Sequence, residues 1–195
     1  MARTVNKQQH QERRAAVTAA AAELFARRGF AETSTAQIAK AAGISTGNLF
    51  YYFPDKPAIF RAIFEQDIAE SERLFEAHAD TEDPAESILD VVTALAAPAR
   101  DELAPGLLVE LLRRAGNDPQ LMEIVAANEA IVQAGLATLV RRASQAGQAD
   151  NSLDPDAAAT WIRKIIDAVY LNAGSADDDA IPMLRLIVTR FLGMA

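Results

Sequence analysis

A chain of 195 residues that is 50% hydrophobic can bury one large helical core or two smaller ones without disulfide support. Cysteine is absent, which excludes a disulfide framework, a thiolate zinc site and a cysteine nucleophile, and fits a reducing, cytoplasmic setting. The net charge of −8 taken alone argues against a polyanionic partner, but residues 1–60 carry eight Lys/Arg against four acids, a balance of +4 that leaves −12 on the remainder.

A basic head on an acidic body is the distribution expected when the head meets phosphate and the body is kept off it. The first ten residues are polar and basic, unlike a signal peptide. No apolar run reaches the ~18 residues of a membrane span, so a soluble protein with no membrane partner is predicted.

Apolar residues recur at helical spacing nearly throughout, without strand-like alternation, which predicts an all-α protein of about nine helices. The first runs over residues 9–28, its stripe formed by Val17, Ala20, Ala21, Leu24 and Phe25, and Gly29 ends it. Thr33 or Ser34 caps a short helix from Thr35 to Ala42, stopped by Gly43. Ser45 caps a third, which closes at Pro54 after Leu49-Phe50-Tyr51-Tyr52-Phe53. Phe50 and Phe53 are expected in the core. A long helix follows over 55–79, then five more at about 85–97, 105–115, 119–146, 155–173 and 181–193, separated by Pro/Gly breaks. The expected division is a small head over 1–54 and a larger helical body over 55–195.

The segment Ala36-Gln37-Ile38-Ala39-Lys40-Ala41-Ala42-Gly43-Ile44-Ser45-Thr46-Gly47-Asn48-Leu49 has the pattern of a helix-turn-helix. Small Ala39 permits close helix approach, Gly43 supplies a positive φ, and Ile44 and Leu49 return to the core. That geometry presents the second helix to a major groove. Hydroxyls of Thr33, Ser34 and Tyr52, with the Lys56 cation, suit phosphate oxygens, and Thr35 and Ser45 are further candidate DNA contacts. Thr46 and Asn48 are candidates for base edges, Gly47 allows close backbone approach, and Tyr51 suits either role.

The ordered set Gly29-Phe30-Ala31-Glu32-Thr33-Ser34-Thr35-Ala36-Gln37-Ile38-Ala39, Ala42-Gly43-Ile44-Ser45 and Leu49-Phe50-Tyr51-Tyr52-Phe53-Pro54-Asp55-Lys56 resembles the DNA-binding signature of the TetR family. The later helices are similar to that family in number and order, with a weaker likeness to BetI-like C-terminal domains. The resemblance implies a transcriptional regulator, most simply a repressor that a small molecule releases from its operator. It also implies that the last two helices form half of an intersubunit four-helix bundle. Ile162, Ile166, Val169 and Tyr170 on one, with Leu184, Ile187, Val188 and Phe191 on the other, are the expected interface. A single head reads about five base pairs, so a homodimer on palindromic double-stranded DNA is expected. For the effector, Phe75, Leu111, Met122, Asn128 and Trp161 are candidate lining of a largely apolar pocket.

Competing chemistries lack their context. Gly43-Ile44-Ser45-Thr46-Gly47 matches G-x-S-x-G, but a nucleophile elbow needs a preceding strand and a downstream acid and histidine in that order. The two histidines, His10 and His78, form no i, i+4 pair. Asp177-Asp178-Asp179 lacks the alternation and closing glutamate of a calcium loop. No phosphate-binding glycine motif occurs. No catalytic residue, metal or cofactor is therefore expected.

Overall fold

The computed structural model describes residues 2–173 and 179–194. Among these it contains no strand and nine α-helices: α1 (Ala2–Arg28), α2 (Thr35–Ala41), α3 (Thr46–Tyr52), α4 (Lys56–Ala77), α5 (Pro84–Ala96), α6 (Ala104–Ala115), α7 (Pro119–Gln145), α8 (Pro155–Leu171) and α9 (Ala180–Phe191), with a 3-10 turn at Ala97–Arg100. The all-α architecture agrees with the sequence. The first helix starts at Ala2 instead of near residue 9, because nothing between them breaks a helix once its apolar stripe has ended.

Helix ends follow local chemistry. An Asp-Pro step opens three helices: Asp83, Asp118 and Asp154 accept the N–H of Glu86, Leu121 and Ala157 at 3.1, 3.1 and 2.8 Å. The carboxylate satisfies an orphan amide, and the proline behind it needs no donor. Gly29 takes φ 86° and donates to the Phe25 carbonyl at 2.9 Å, so α1 stops there.

The chain divides into two compact units, Met1–Gln66 with Gly106–Ile124, and Asp67–Pro105 with Val125–Ala195. The first is larger than the head expected at 1–54. Ile59 and Phe60 of α4 are fully buried in its core beside Val17, Phe25, Ile38, Leu49 and Phe53, and Leu121 at the start of α7 is buried with them. Phe60 makes edge contacts with Phe25 and Phe30, ring centroids 5.4 and 5.5 Å apart. At Gly106, α6 lies so close to α1 that an added Cβ would collide with the Ala26 carbonyl. Leu111, a candidate pocket residue, packs against this core.

Two buried carboxylates fasten α6 and the start of α7 into the first unit. Glu110 accepts the Phe30 N–H at 3.1 Å and pairs with Arg113 at 2.7 Å. Asp118 receives Arg61 at 3.1 Å and Arg114 at 3.1 Å, while Arg114 lies 3.7 Å over the Phe30 ring. Burial pushes the Asp118 carboxyl upward, but the Leu121 amide and the two guanidiniums outweigh it and hold the pKa below its ordinary value.

The second unit packs Ile88, Val91, Val92, Leu136, Val140, Ile162, Ile166, Leu184 and Val188 into its own core. Phe75 lies on the backbone of Gly135, where a Cβ would overlap its ring. Tyr170 donates its hydroxyl to the Leu95 carbonyl at 2.9 Å, and burial followed by the Asp67 charge pushes its pKa up to about 12. Asp179 accepts the Ile181 N–H at 3.2 Å and pairs with Arg100. Asp177 and Asp178 lie outside the described residues.

Two expectations need correction. Of the eight residues assigned to a dimer surface, Ile162, Ile166, Leu184 and Val188 are buried in the chain's own core, and Val169, Tyr170 and Phe191 pack against it; only Ile187 faces out. Apolar residues also stand on the outer sides of α8 and α9, Trp161 and Leu171 on one and Met183, Leu186 and Ile187 on the other, while the stripe that the periodicity predicts is the one the core takes. Trp161 is exposed, with the Lys164 ammonium 4.7 Å from its ring, and Met122 is exposed at the start of α7. By length and composition α7 passes for a helix able to cross a membrane, but charged residues interrupt it and Val132, Leu136, Leu139 and Val140 on it are buried in protein, so the expectation of no membrane span is not overturned.

Asp118→Asn keeps a capping oxygen but removes the charge, leaving two guanidiniums without their carboxylate. The expected loss is about 2 kcal/mol, the low side for a broken buried pair because both arginines keep some solvent. A carboxyl with a lowered folded-state pKa contributes fully above the unfolded value of about 3.9 and less as pH falls through the folded one. Urea unfolding of both proteins should show the difference at pH 7 and a smaller one at pH 3. An equal difference at both pH values contradicts the assignment.

Candidate DNA-binding interface

The turn between α2 and α3 is built by hydrogen bonds local in sequence. Ser34 and Gln37 form a reciprocal capping box, with the Gln37 N–H donating to Ser34 Oγ at 3.2 Å and the Ser34 N–H to Gln37 Oε1 at 2.7 Å. Past α2, Gly43 adopts φ 68°, and the Ile44 N–H donates to the Ala39 carbonyl at 2.9 Å. Such a left-handed residue lets the chain double back at a fixed angle. Ser45 then caps α3 by accepting the Asn48 N–H at 3.1 Å.

The third helix is anchored on one side only. Leu49 and the following Phe53 are buried. Thr46, Gly47, Asn48 and Phe50 are exposed, and Tyr51 is 73% exposed. Phe50 therefore departs from its expected core position, because the helix turns it away from Leu49. An added Cβ at Gly47 meets nothing within 4 Å, so neither packing nor a positive φ demands glycine there.

The predicted phosphate contacts separate into distinct groups. Ser34 and Ser45 are exposed and Thr35 is half-buried, but both serine oxygens already serve as helix caps. Thr33 is corrected: it is 1% exposed, and its hydroxyl points back to the Gly29 carbonyl at 2.8 Å. The end of α1 leaves that carbonyl without a helical partner, and Thr33 fills the gap. Lys56 donates from Nζ to the Phe30 and Thr33 carbonyls at 2.7 and 2.8 Å. Desolvation, and next the Arg114 charge, hold its pKa below the usual ammonium value. Two of its three N–H donors are thus engaged within the protein, leaving one for a phosphate.

Tyr52 is half-buried. Its carbonyl receives Arg14 Nη1 at 2.9 Å, and the same guanidinium lies 4.3 Å over the Phe53 ring. These contacts join the end of α3 to α1. Along the same side, Gln9, His10 and Arg13 of α1 border a groove of about 480 Å³ that reaches Asn48 and Tyr51. None of these three residues is expected at the interface from the sequence. Their i, i+4 spacing from Gln9 to Arg13 was visible, but nothing local showed which face of α1 meets α3.

Residues 17–63 match the family model for bacterial regulatory proteins of the tetR family. An HTH-type transcriptional repressor of Mycobacterium tuberculosis, Rv1474c, is 28% identical over 168 residues, covering 85% of this chain and 84% of that protein. Among solved structures, a TetR transcription regulator from Haloarcula marismortui superimposes with a TM-score of 0.80 at 18% identity, covering 94% and 98% of the two chains. The regulator FadR from Bacillus subtilis, solved with stearoyl-CoA, gives 0.75 at 20% identity over 91% and 96%. Residues 17–63 thus carry a DNA-binding domain of the kind found in bacterial regulatory proteins of the tetR family, and the helical fold along the whole chain is the one seen in solved TetR regulators.

Proposed function

We propose that the chain works as a homodimeric cytoplasmic repressor that holds a palindromic operator and releases it when a small, largely apolar molecule binds the second unit. The observation that carries this reading is the outward face of α3. Thr46, Gly47, Asn48 and Tyr51 are exposed together on a helix fixed by Leu49 and by the Gly43 turn. Asn48 is able to pair bidentately with adenine, while Gly47 lets the backbone come close to the base edges. Ser34, Thr35, Ser45, Tyr52 and the remaining Lys56 donor are the positioning contacts on phosphate.

The dimer is supported by a surface different from the one expected. Trp161 and Leu171 on α8, with Met183, Leu186 and Ile187 on α9, are large apolar residues left exposed on adjoining helices. Exposed apolar residues on two adjoining helices suit an interface with a second copy about a twofold axis, which matches a palindromic site.

Effector binding is supported by a single orphan. Asn128 Oδ1 is buried without a hydrogen-bond partner among the described residues, and a ligand with a donor group would satisfy it. Phe75 remains a candidate for the apolar lining. FadR, similar in fold, was solved with stearoyl-CoA, which supports a ligand-holding role for the helical unit. Because α4 contributes residues to both units, a ligand that shifts it would alter the spacing of the two heads. The coupling is reciprocal, so operator DNA weakens effector binding by the same factor.

Selection from a random duplex pool at ~150 mM salt tests the reading, since bare phosphate attraction is largely suppressed there. The expected product is a palindrome with half-site centres about one helical turn, ~34 Å, apart. An unstructured product contradicts dimeric recognition. Gly47→Ala separates function from fold: it should stabilise α3 by about 0.5–1 kcal/mol and still weaken binding to the selected duplex, read by thermal unfolding and fluorescence anisotropy. Undiminished affinity would remove Gly47 from the interface.

A further inference from the structure

The groove between α1 and α3 has an unusual composition for this chain. Acids outnumber Lys and Arg by 27 to 19 overall, yet no Asp or Glu is among the described residues that line it. It presents donors instead: the Gln9 amide, the Arg13 guanidinium, the Asn48 amide and the hydroxyls of Tyr51 and Tyr52. His10 is held between the two tyrosines, its ring 4.9 Å from Tyr52 and 5.9 Å from Tyr51.

Arg13 and Arg14 are neighbours with opposite tasks. Arg14 is committed to the Tyr52 carbonyl and the Phe53 ring, and so sets the position of α1 against α3. Arg13 is exposed at the groove and makes no ion pair with a described residue. An uncommitted guanidinium beside a clamped imidazole and an amide, with no competing carboxylate, is a seat for an oxyanion.

Asn48 belongs both to this groove and to the exposed face of α3. We propose that the groove seats a backbone phosphate of the DNA strand that α3 reads, with Arg13 as its charged ligand and His10 and Gln9 as the flanking donors. The seat rests on the regulator reading and adds to it a second wall, contributed by α1, that sets the angle at which α3 enters the major groove. Contacts of this kind fix register and carry no base information, so their loss weakens all sequences alike.

The test uses the full chain, the selected duplex and a random-sequence duplex of equal length, with affinities measured across a salt series. Arg13→Gln should reduce the slope of log K against log salt by about 0.9, the value for one phosphate contact, and weaken both duplexes by a similar factor of roughly five. Arg13→Lys should retain the slope. Replacing phosphates singly with neutral methylphosphonate should reveal one position where the unsubstituted protein loses affinity and Arg13→Gln does not. An unchanged slope for Arg13→Gln, with an unchanged unfolding midpoint, overturns the seat while leaving the regulator reading intact. If the unsubstituted protein binds neither duplex, both fall together.

Discussion

A recognition helix of seven residues must be exposed and rigid at once, and a helix that short has no stability of its own in water. Everything in the first unit answers this constraint. Leu49 and Phe53 bury one side of α3, Ser45 caps its start, and Arg14 grips the carbonyl at its end. What remains outside is a face carrying Thr46, Gly47, Asn48 and Tyr51, with Phe50 beside them, held in one orientation.

The same need explains why the first unit extends beyond the helix-turn-helix. One long helix and two short ones enclose too little core, and Ile59 and Phe60 of α4 with Leu121 of α7 complete it. Bringing α6 alongside α1 requires glycine at 106, and the corner between α6 and α7 places Glu110 and Asp118 inside the protein. Both carboxylates are matched: Glu110 by a backbone amide and Arg113, Asp118 by an amide and two arginines. Such matching is the condition under which buried charge is tolerated, and breaking one partner is costly.

Features governed by neighbouring residues were legible in the sequence. The turn at Gly43, the cap at Ser45 and a cap at Thr33 or Ser34 need only side chains a few residues apart and are read from their types, while the reciprocal bond from Gln37 that selects Ser34 comes from the structure. Features set by distant partners were not. Glu110 meets Phe30 from 80 residues away, and no periodicity links the two. From its type and position Thr33 reads as a phosphate donor, whereas the free carbonyl at the end of α1 draws its hydroxyl in. On α8 and α9 an apolar residue at either face fits a helix, so the pattern identified the helices and not the side each turns outward. The boundary at residue 54 followed the proline, while packing continues into α4.

The function then follows from how the charges and apolar faces are distributed. On the proposed reading the basic first 60 residues carry the reader, the acidic remainder is kept off the duplex by its charge, and the exposed apolar residues of α8 and α9 meet a second copy. Hydroxyl-radical footprinting of the protein on its selected duplex tests that arrangement most directly. Two protected stretches on one face of the DNA, with centres about 10 base pairs apart, are the predicted result for a dimer presenting two α3 helices. A single protected stretch, or uniform protection along the duplex, would contradict it.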